Sequence, residues 1–171
     1  PQDILTKFAS QADVETLFPI LADLRVFKSP AERSLLRYVT ETTSQAHAYV
    51  MRNMKPGMME YQGESLFRFF SSFLGCRLSP YTNIACCGPS GAVLHYGHSG
   101  EPNARQSVAG EMCLFDMGAE YFCYGSDVTC SFPISGTFRE DQISIYKAVL
   151  QAQVAVYNMI QPGVSWVDCH K

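Results

Sequence analysis

Two aspartates eleven positions apart, Asp116 and Asp127, sit within the stretch Met112–Pro133, MCLFDMGAEYFCYGSDVTCSFP. Their neighbours Leu114, Phe115, Tyr121, Phe122, Tyr124 and Val128 favour extended backbone. On one straight strand, at ~3.3 Å per residue, the two carboxylates would lie roughly 36 Å apart and on opposite faces. A hairpin centred between Tyr121 and Phe122 instead predicts Asp116 opposite Asp127 and Gly118 opposite Gly125, with opposed Cβ atoms only ~5 Å apart. Like charges that close are destabilising unless a proton, an arginine or a metal ion lies between them. Hard divalent ions take carboxylate oxygens, and two of them ~3.5–4 Å apart can hold a bridging hydroxide. Without such a cation, the same aspartates read as ordinary strand-end or turn residues.

Around this stretch the pattern is of helices and short strands. Ser29-Pro30-Ala31-Glu32 is a capping box with proline at the first helical position. Leu35, Leu36, Val39, Ala46, Val50 and Met54 continue it at helical spacing to Lys55-Pro56-Gly57. His47 on this helix reads as an ordinary helix histidine rather than a ligand. A second helix is predicted from Glu60 to Leu74, with Leu66, Phe69, Phe70 and Phe73 as its buried face. Tyr81–Cys87 and Ala92–Tyr96 read as short strands. Gly97 and Gly100 argue against a helix carrying His95 and His98 as a metal pair, so His95 reads as a strand-end loop histidine, a candidate for substrate contact.

Thr137-Phe-Arg-Glu140 repeats the capping-box pattern. It opens a helix with Ile143, Tyr146, Val149, Leu150, Val154, Tyr157 and Ile160 on one face, ending at Gln161-Pro162-Gly163. Two capped helices of similar length, each followed by Pro-Gly and a bulky apolar residue, suggest an internal repeat. The first unit would be 29–136 and the second would begin at 137–171. Residues 1–28 are apolar without a clean period, with Pro19 interrupting any helix and Arg25–Lys28 reading as a short strand.

Composition removes several function classes. A net charge of −3 without a Lys/Arg cluster gives no footprint for nucleic acid. No apolar run reaches the ~20 residues of a membrane span, and Pro1-Gln-Asp-Ile4 does not open a secretory signal pattern. Seven cysteines, an odd number without a C-x-x-C pair, point to reduced thiols and a cytoplasmic setting.

The run from Asp116 to Thr129, DMGAEYFCYGSDVT, resembles the signature hairpin of the pita-bread metallopeptidases, the creatinase and aminopeptidase P superfamily. Asp127-Val-Thr-Cys-Ser-Phe-Pro133 resembles its prolidase (Xaa-Pro dipeptidase) branch, since aminopeptidases P usually carry an arginine where Cys130 stands. The likeness extends from about Leu17 onward and includes Arg25–Lys28 and Leu94–His98. It implies an α/β (α+β) fold of two related halves about a pseudo-twofold, with helices packed on an antiparallel-rich sheet. This chain would be the end of an N-terminal domain and linker (1–28) followed by part of the catalytic domain (29–171).

The same resemblance implies Asp116 and Asp127 as metal ligands in a centre holding two Mn²⁺ when complete, and His95 as the catalytic histidine contacting an Xaa-Pro dipeptide. It places Tyr81 near the substrate and Thr129 as a donor behind the metal-bound carboxylates. It further implies a homodimer for the full-length protein. One histidine and two glutamates, the remaining ligands, have no matching motif here, so the chain alone is expected to be inactive. The alternatives are an aminopeptidase P-like peptidase and a non-enzymatic pita-bread interaction module. Finally, many family hairpins place a glycine where Cys123 stands; a two-residue type I′ turn wants Asn or Gly, so a wider or bulged turn is expected.

Overall fold

The computed structural model describes residues 13, 15–97, 100 and 102–171. In chain order these form α1 (Leu17–Val26), α2 (Pro30–Asn53), α3 (Glu60–Phe73), β1 (Ile84–Cys87), a 3₁₀ turn (Gly88–Ala92), β2 (Met112–Met117), β3 (Glu120–Tyr121), β4 (Tyr124–Gly125), β5 (Val128–Pro133), α4 (Glu140–Met159) and α5 (Trp166–His170). The sheet is antiparallel in the order β1-β2-β5, and β3-β4 extend the β2–β5 pair as a separate short ribbon.

The expected capping box starts α2. Ser29 Oγ accepts the Glu32 N–H, and the Glu32 carboxylate accepts the Ser29 N–H at 2.6 Å. The buried face of α2 is Val39, Thr42, Thr43, Ala46, His47 and Val50. Three of those residues are polar and are absent from the apolar stripe read off the sequence. Cys113, Phe115 and Met117 alternate onto the core face of β2, against α2 and α3. Phe115 and Phe132 meet edge to face with ring centroids 5.4 Å apart.

The α3 stripe is corrected. Phe69 and Phe73 are 60% and 80% exposed, while Gly63, Phe67 and Ser71 are buried and Leu66 and Phe70 only partly so. The neighbour decides this: the Phe115 ring crosses α3 at Gly63, where a Cβ would fall 2.5 Å from Phe115 Cε2. The helix therefore turns Gly63, Phe67 and Ser71 inward and leaves Phe69 and Phe73 outside.

The hairpin is also corrected. It closes through Phe122 (φ 48°) and Cys123 (φ 66°), a two-residue turn with both positions left-handed, and not through a wider or bulged loop. Pairing runs Asp116↔Thr129, Glu120↔Gly125 and Tyr121↔Tyr124, two residues out of phase with the expected register. Side chains bind the turn in place. Tyr121 packs on Tyr38 with ring centroids 4.9 Å apart, and the Tyr124 hydroxyl donates to Glu32 at 2.7 Å.

Three smaller expectations fail. Arg25 and Val26 end α1 rather than forming a strand, and Pro19 sits in its first turn, where a missing N–H costs nothing. Ala92–Tyr96 is 3₁₀ turn and loop, not strand, and Tyr81 lies ahead of β1. Helix α4 starts at Glu140, with the Arg139 N–H donating to Gln142 at 2.9 Å; the guanidinium of Arg139 is held by the Gly110 carbonyl and Asp141. No residue of α4 is buried. All seven cysteines are free thiols, and among the described residues no helix is long and apolar enough to cross a membrane.

A left-handed conformation costs a residue with a Cβ about 1 kcal/mol. Cys123→Gly should therefore stabilise the chain by about 1 kcal/mol, read as a raised urea midpoint at unchanged slope.

Candidate metal centre

Asp116 is half-buried on the face of β2 opposite the core, and Asp127 is exposed just ahead of β5. The two-residue phase shift keeps both on one face, because side-chain facing has period two. They converge on one atom. The Tyr81 hydroxyl lies 2.7 Å from Asp116 Oδ1 and 3.0 Å from Asp127 Oδ1. It has one proton for two carboxylates. Burial, with the two carboxylates it faces, pushes the Tyr81 phenol above its usual range, so it stays a donor. The other oxygen of each aspartate makes no hydrogen bond among the described residues. Paired carboxylates with free oxygens suit a hard divalent cation, although no group of three or more His, Cys, Asp or Glu converges among the described residues.

What holds the aspartates is a bend between β2 and β3. A Cβ on Gly118 would fall 1.8 Å from the Ser126 carbonyl oxygen and 2.9 Å from the Tyr81 ring, so only glycine fits there. Ser126 is buried beside it, with its Oγ 2.6 Å from Thr43 Oγ1 and its N–H donating to the Ala119 carbonyl at 3.0 Å. The Ala119 N–H donates to Thr43 Oγ1 at 3.1 Å. His47, 2% exposed, places Nε2 3.0 Å from the Met117 carbonyl oxygen and its ring edge-on to Phe67. Burial lowers its pKa, against the opposing pull of the Met117 and Val128 backbone and the Asp116 charge. Sequence reading kept His47 off the ligand list but missed its contact with the hairpin.

The remaining predicted residues are placed less closely. Thr129 is exposed directly across the ladder from Asp116, on the same face. Its side chain borders a cleft of about 920 Å³ lined also by Leu114, Tyr146 and Leu150, which does not take in the aspartates. His95 is exposed on a turn, and among the described residues no hydrogen bond joins it to either aspartate. His98 lies outside the described residues.

The turn bearing His95 is anchored by a group that the sequence gave no reason to single out. Glu60, fully buried at the start of α3, accepts from the Cys87 N–H (2.7 Å), the Tyr96 hydroxyl (2.6 Å) and the Arg105 N–H (3.0 Å). A buried carboxylate with three donors is satisfied in place. A glutamate four residues before Glu64, opening an apolar helix, carried no signal beyond an ordinary first-turn acid.

Residues 34–171 match metallopeptidase family M24. The chain is 49% identical to the Xaa-Pro dipeptidase of Mus musculus over 156 residues, 91% of this chain and 32% of that protein. It is 35% identical to the Xaa-Pro aminopeptidase of Escherichia coli over 88% of this chain and 33% of that one. Among solved structures, an aspartate-to-alanine variant of E. coli aminopeptidase P superposes with TM-score 0.84 at 33% identity, covering 89% of this chain and 34% of that one. A zinc-substituted form of that enzyme with product superposes with TM-score 0.81 at 34% identity, over 86% and 32%. The chain thus spans about one third of the length of the relatives it matches. Helices on an antiparallel sheet, the paired aspartates and this likeness together place the chain in metallopeptidase family M24, with the pita-bread fold.

Proposed function

We propose that Asp116 and Asp127 are two ligands of a dinuclear Mn²⁺ site that hydrolyses Xaa-Pro dipeptides. The observation that carries this reading is the single Tyr81 hydroxyl within hydrogen-bond distance of both carboxylates. Two anions converge with one proton to share, an arrangement that a cation completes. When bound, the ions would lower the pKa of a shared water and polarise the scissile carbonyl. Tyr81, kept protonated, orients Oδ1 of each aspartate, and the other oxygens would be available to hold a metal ion. Thr129 offers a hydroxyl on the same face, across from Asp116. His95, on its exposed turn, is assigned to hold the substrate beside the site.

The dipeptidase reading is favoured over the aminopeptidase one by the greater identity to Xaa-Pro dipeptidases and by Cys130, a half-buried thiol that burial keeps neutral where an arginine would bring charge. Seven free thiols fit a cytoplasmic setting. Two carboxylates do not fill the roughly octahedral oxygen shell of Mn²⁺. The 171-residue chain alone should therefore hold Mn²⁺ weakly and leave Gly-Pro uncleaved.

A chimera tests this, with the chain replacing the matching third of the mouse dipeptidase. It should cleave Gly-Pro with added Mn²⁺, and Asp127→Ala should reduce cleavage to the metal-free level. Preference for tripeptides would move the assignment to an aminopeptidase, and metal-independent cleavage would remove the metal reading. In the same chimera Tyr81→Phe should weaken Mn²⁺ about 10- to 100-fold, the usual effect of deleting a hydrogen-bond partner of a ligand, as read by calorimetric titration.

A further inference from the structure

We infer that Thr43 and His47 of α2 are positioning residues for the aspartate pair, setting the bend that brings Asp116 and Asp127 to one hydroxyl. This rests on the reading of that pair as metal ligands. The β2–β5 ladder ends at Met117↔Val128, and pairing resumes at Glu120↔Gly125. Between them lie Gly118, Ala119, Ser126 and Asp127, whose backbone groups a flat ribbon would satisfy across the strands. One such bond survives, from the Ser126 N–H to the Ala119 carbonyl. The Ala119 N–H is shared between Ser126 Oγ at 3.2 Å and Thr43 Oγ1 of α2 at 3.1 Å, and at the end of the ladder the Met117 carbonyl meets His47 Nε2 at 3.0 Å.

The geometry of this clamp is set by two simple periods. Thr43 and His47 are four residues apart, on one face of α2 and separated by about 6 Å along its axis. Met117 and Ala119 are two residues apart, about 6.6 Å along a strand. The helix thus offers a donor and an acceptor at the interval the strand requires. The imidazole thus reaches the residue immediately after Asp116, at the last pair of the ladder, where Met117 faces Val128, the residue after Asp127. Thr43 reaches the second strand too, through Ser126 Oγ at 2.6 Å.

The test separates positioning from bulk. Thr43→Val removes the hydroxyl at nearly constant volume, and His47→Phe removes the ring nitrogens while keeping an aromatic ring; Thr43→Ser and His47→Gln keep a polar group. Each is made in this chain, and sub-saturating Mn²⁺ is added while paramagnetic broadening of the Gly118 and Thr129 amide signals is recorded. Thermal midpoints are measured separately. Thr43→Val and His47→Phe should cut the broadening at least tenfold at temperatures where both remain folded, and Thr43→Ser and His47→Gln should restore most of it. Lowered midpoints with unchanged broadening would overturn the inference and leave the pair a core contact. Should His47→Phe fail to fold, the Thr43→Val and Thr43→Ser comparison decides by the same criterion. Asp116→Ala is run alongside. If wild type broadens no more than Asp116→Ala, the metal reading fails and the inference with it. If wild type broadens more and Thr43→Val matches it, only the inference fails.

Discussion

Two carboxylates on one face, sharing one hydroxyl, are the constraint around which the rest of this structure is arranged. At ~5 Å and an effective dielectric of ~20, two unit charges repel by about 3 kcal/mol, a ceiling here because Asp127 is exposed. That is a sizeable share of the 5–15 kcal/mol by which folded domains are usually stable. Tyr81 offsets part of it by donating a proton toward both oxygens. The remainder must be resisted by a scaffold that leaves the aspartates nowhere else to go. Gly118, closed over by the Ser126 carbonyl, is one such restraint. The polar side chains of α2 are another.

Helix α2 meets the hairpin along its length. Glu32 in its first turn accepts the Tyr124 hydroxyl, Tyr38 packs on Tyr121, Thr43 bonds to Ser126, and His47 faces Met117. These contacts run from the hairpin tip to the bend in the order of the helix, so one straight element sets the height of each strand residue. Glu32 serves twice, closing the capping box and receiving Tyr124. Helix α3 does the corresponding work on the other side. Glu60 and Glu64 hold the loop that carries His95 through Tyr96, Asn103 and Arg105. The hairpin and the loop bearing His95 are therefore each held by side chains of a neighbouring helix.

How much of this was legible follows from which period each feature depends on. The capping box at Ser29 is local chemistry within four residues, and it formed as read. The shared face of Asp116 and Asp127 depends only on parity, and an even phase shift leaves parity intact. Register depends on where the turn falls. Phe122 and Cys123 are poor residues for a type I′ turn, so local chemistry pointed to a wider loop. The contacts of Tyr121 with Tyr38 and of Tyr124 with Glu32, made 83 and 92 residues away in sequence, outweighed that local preference. No short-range pattern carries such pairs.

The helical stripes show the same limit from the other direction. Leu66, Phe69, Phe70 and Phe73 recur at helical spacing, yet α3 buries Gly63, Phe67 and Ser71 because the Phe115 ring needs the space at Gly63. In α4 the apolar residues also recur at helical spacing, yet Val149 and Tyr157 are 65% and 79% exposed. A period of 3.6 reports that a helix has an apolar face. Burial depends as well on what lies opposite, and at α3 the deciding neighbour is a β-strand ring 52 residues further along the chain. The polar residues on the buried face of α2 escaped the same reading for the complementary reason. Thr43 and His47 interrupt an apolar stripe, and their value becomes visible only when the carbonyl of Met117 and the N–H of Ala119 are set beside them.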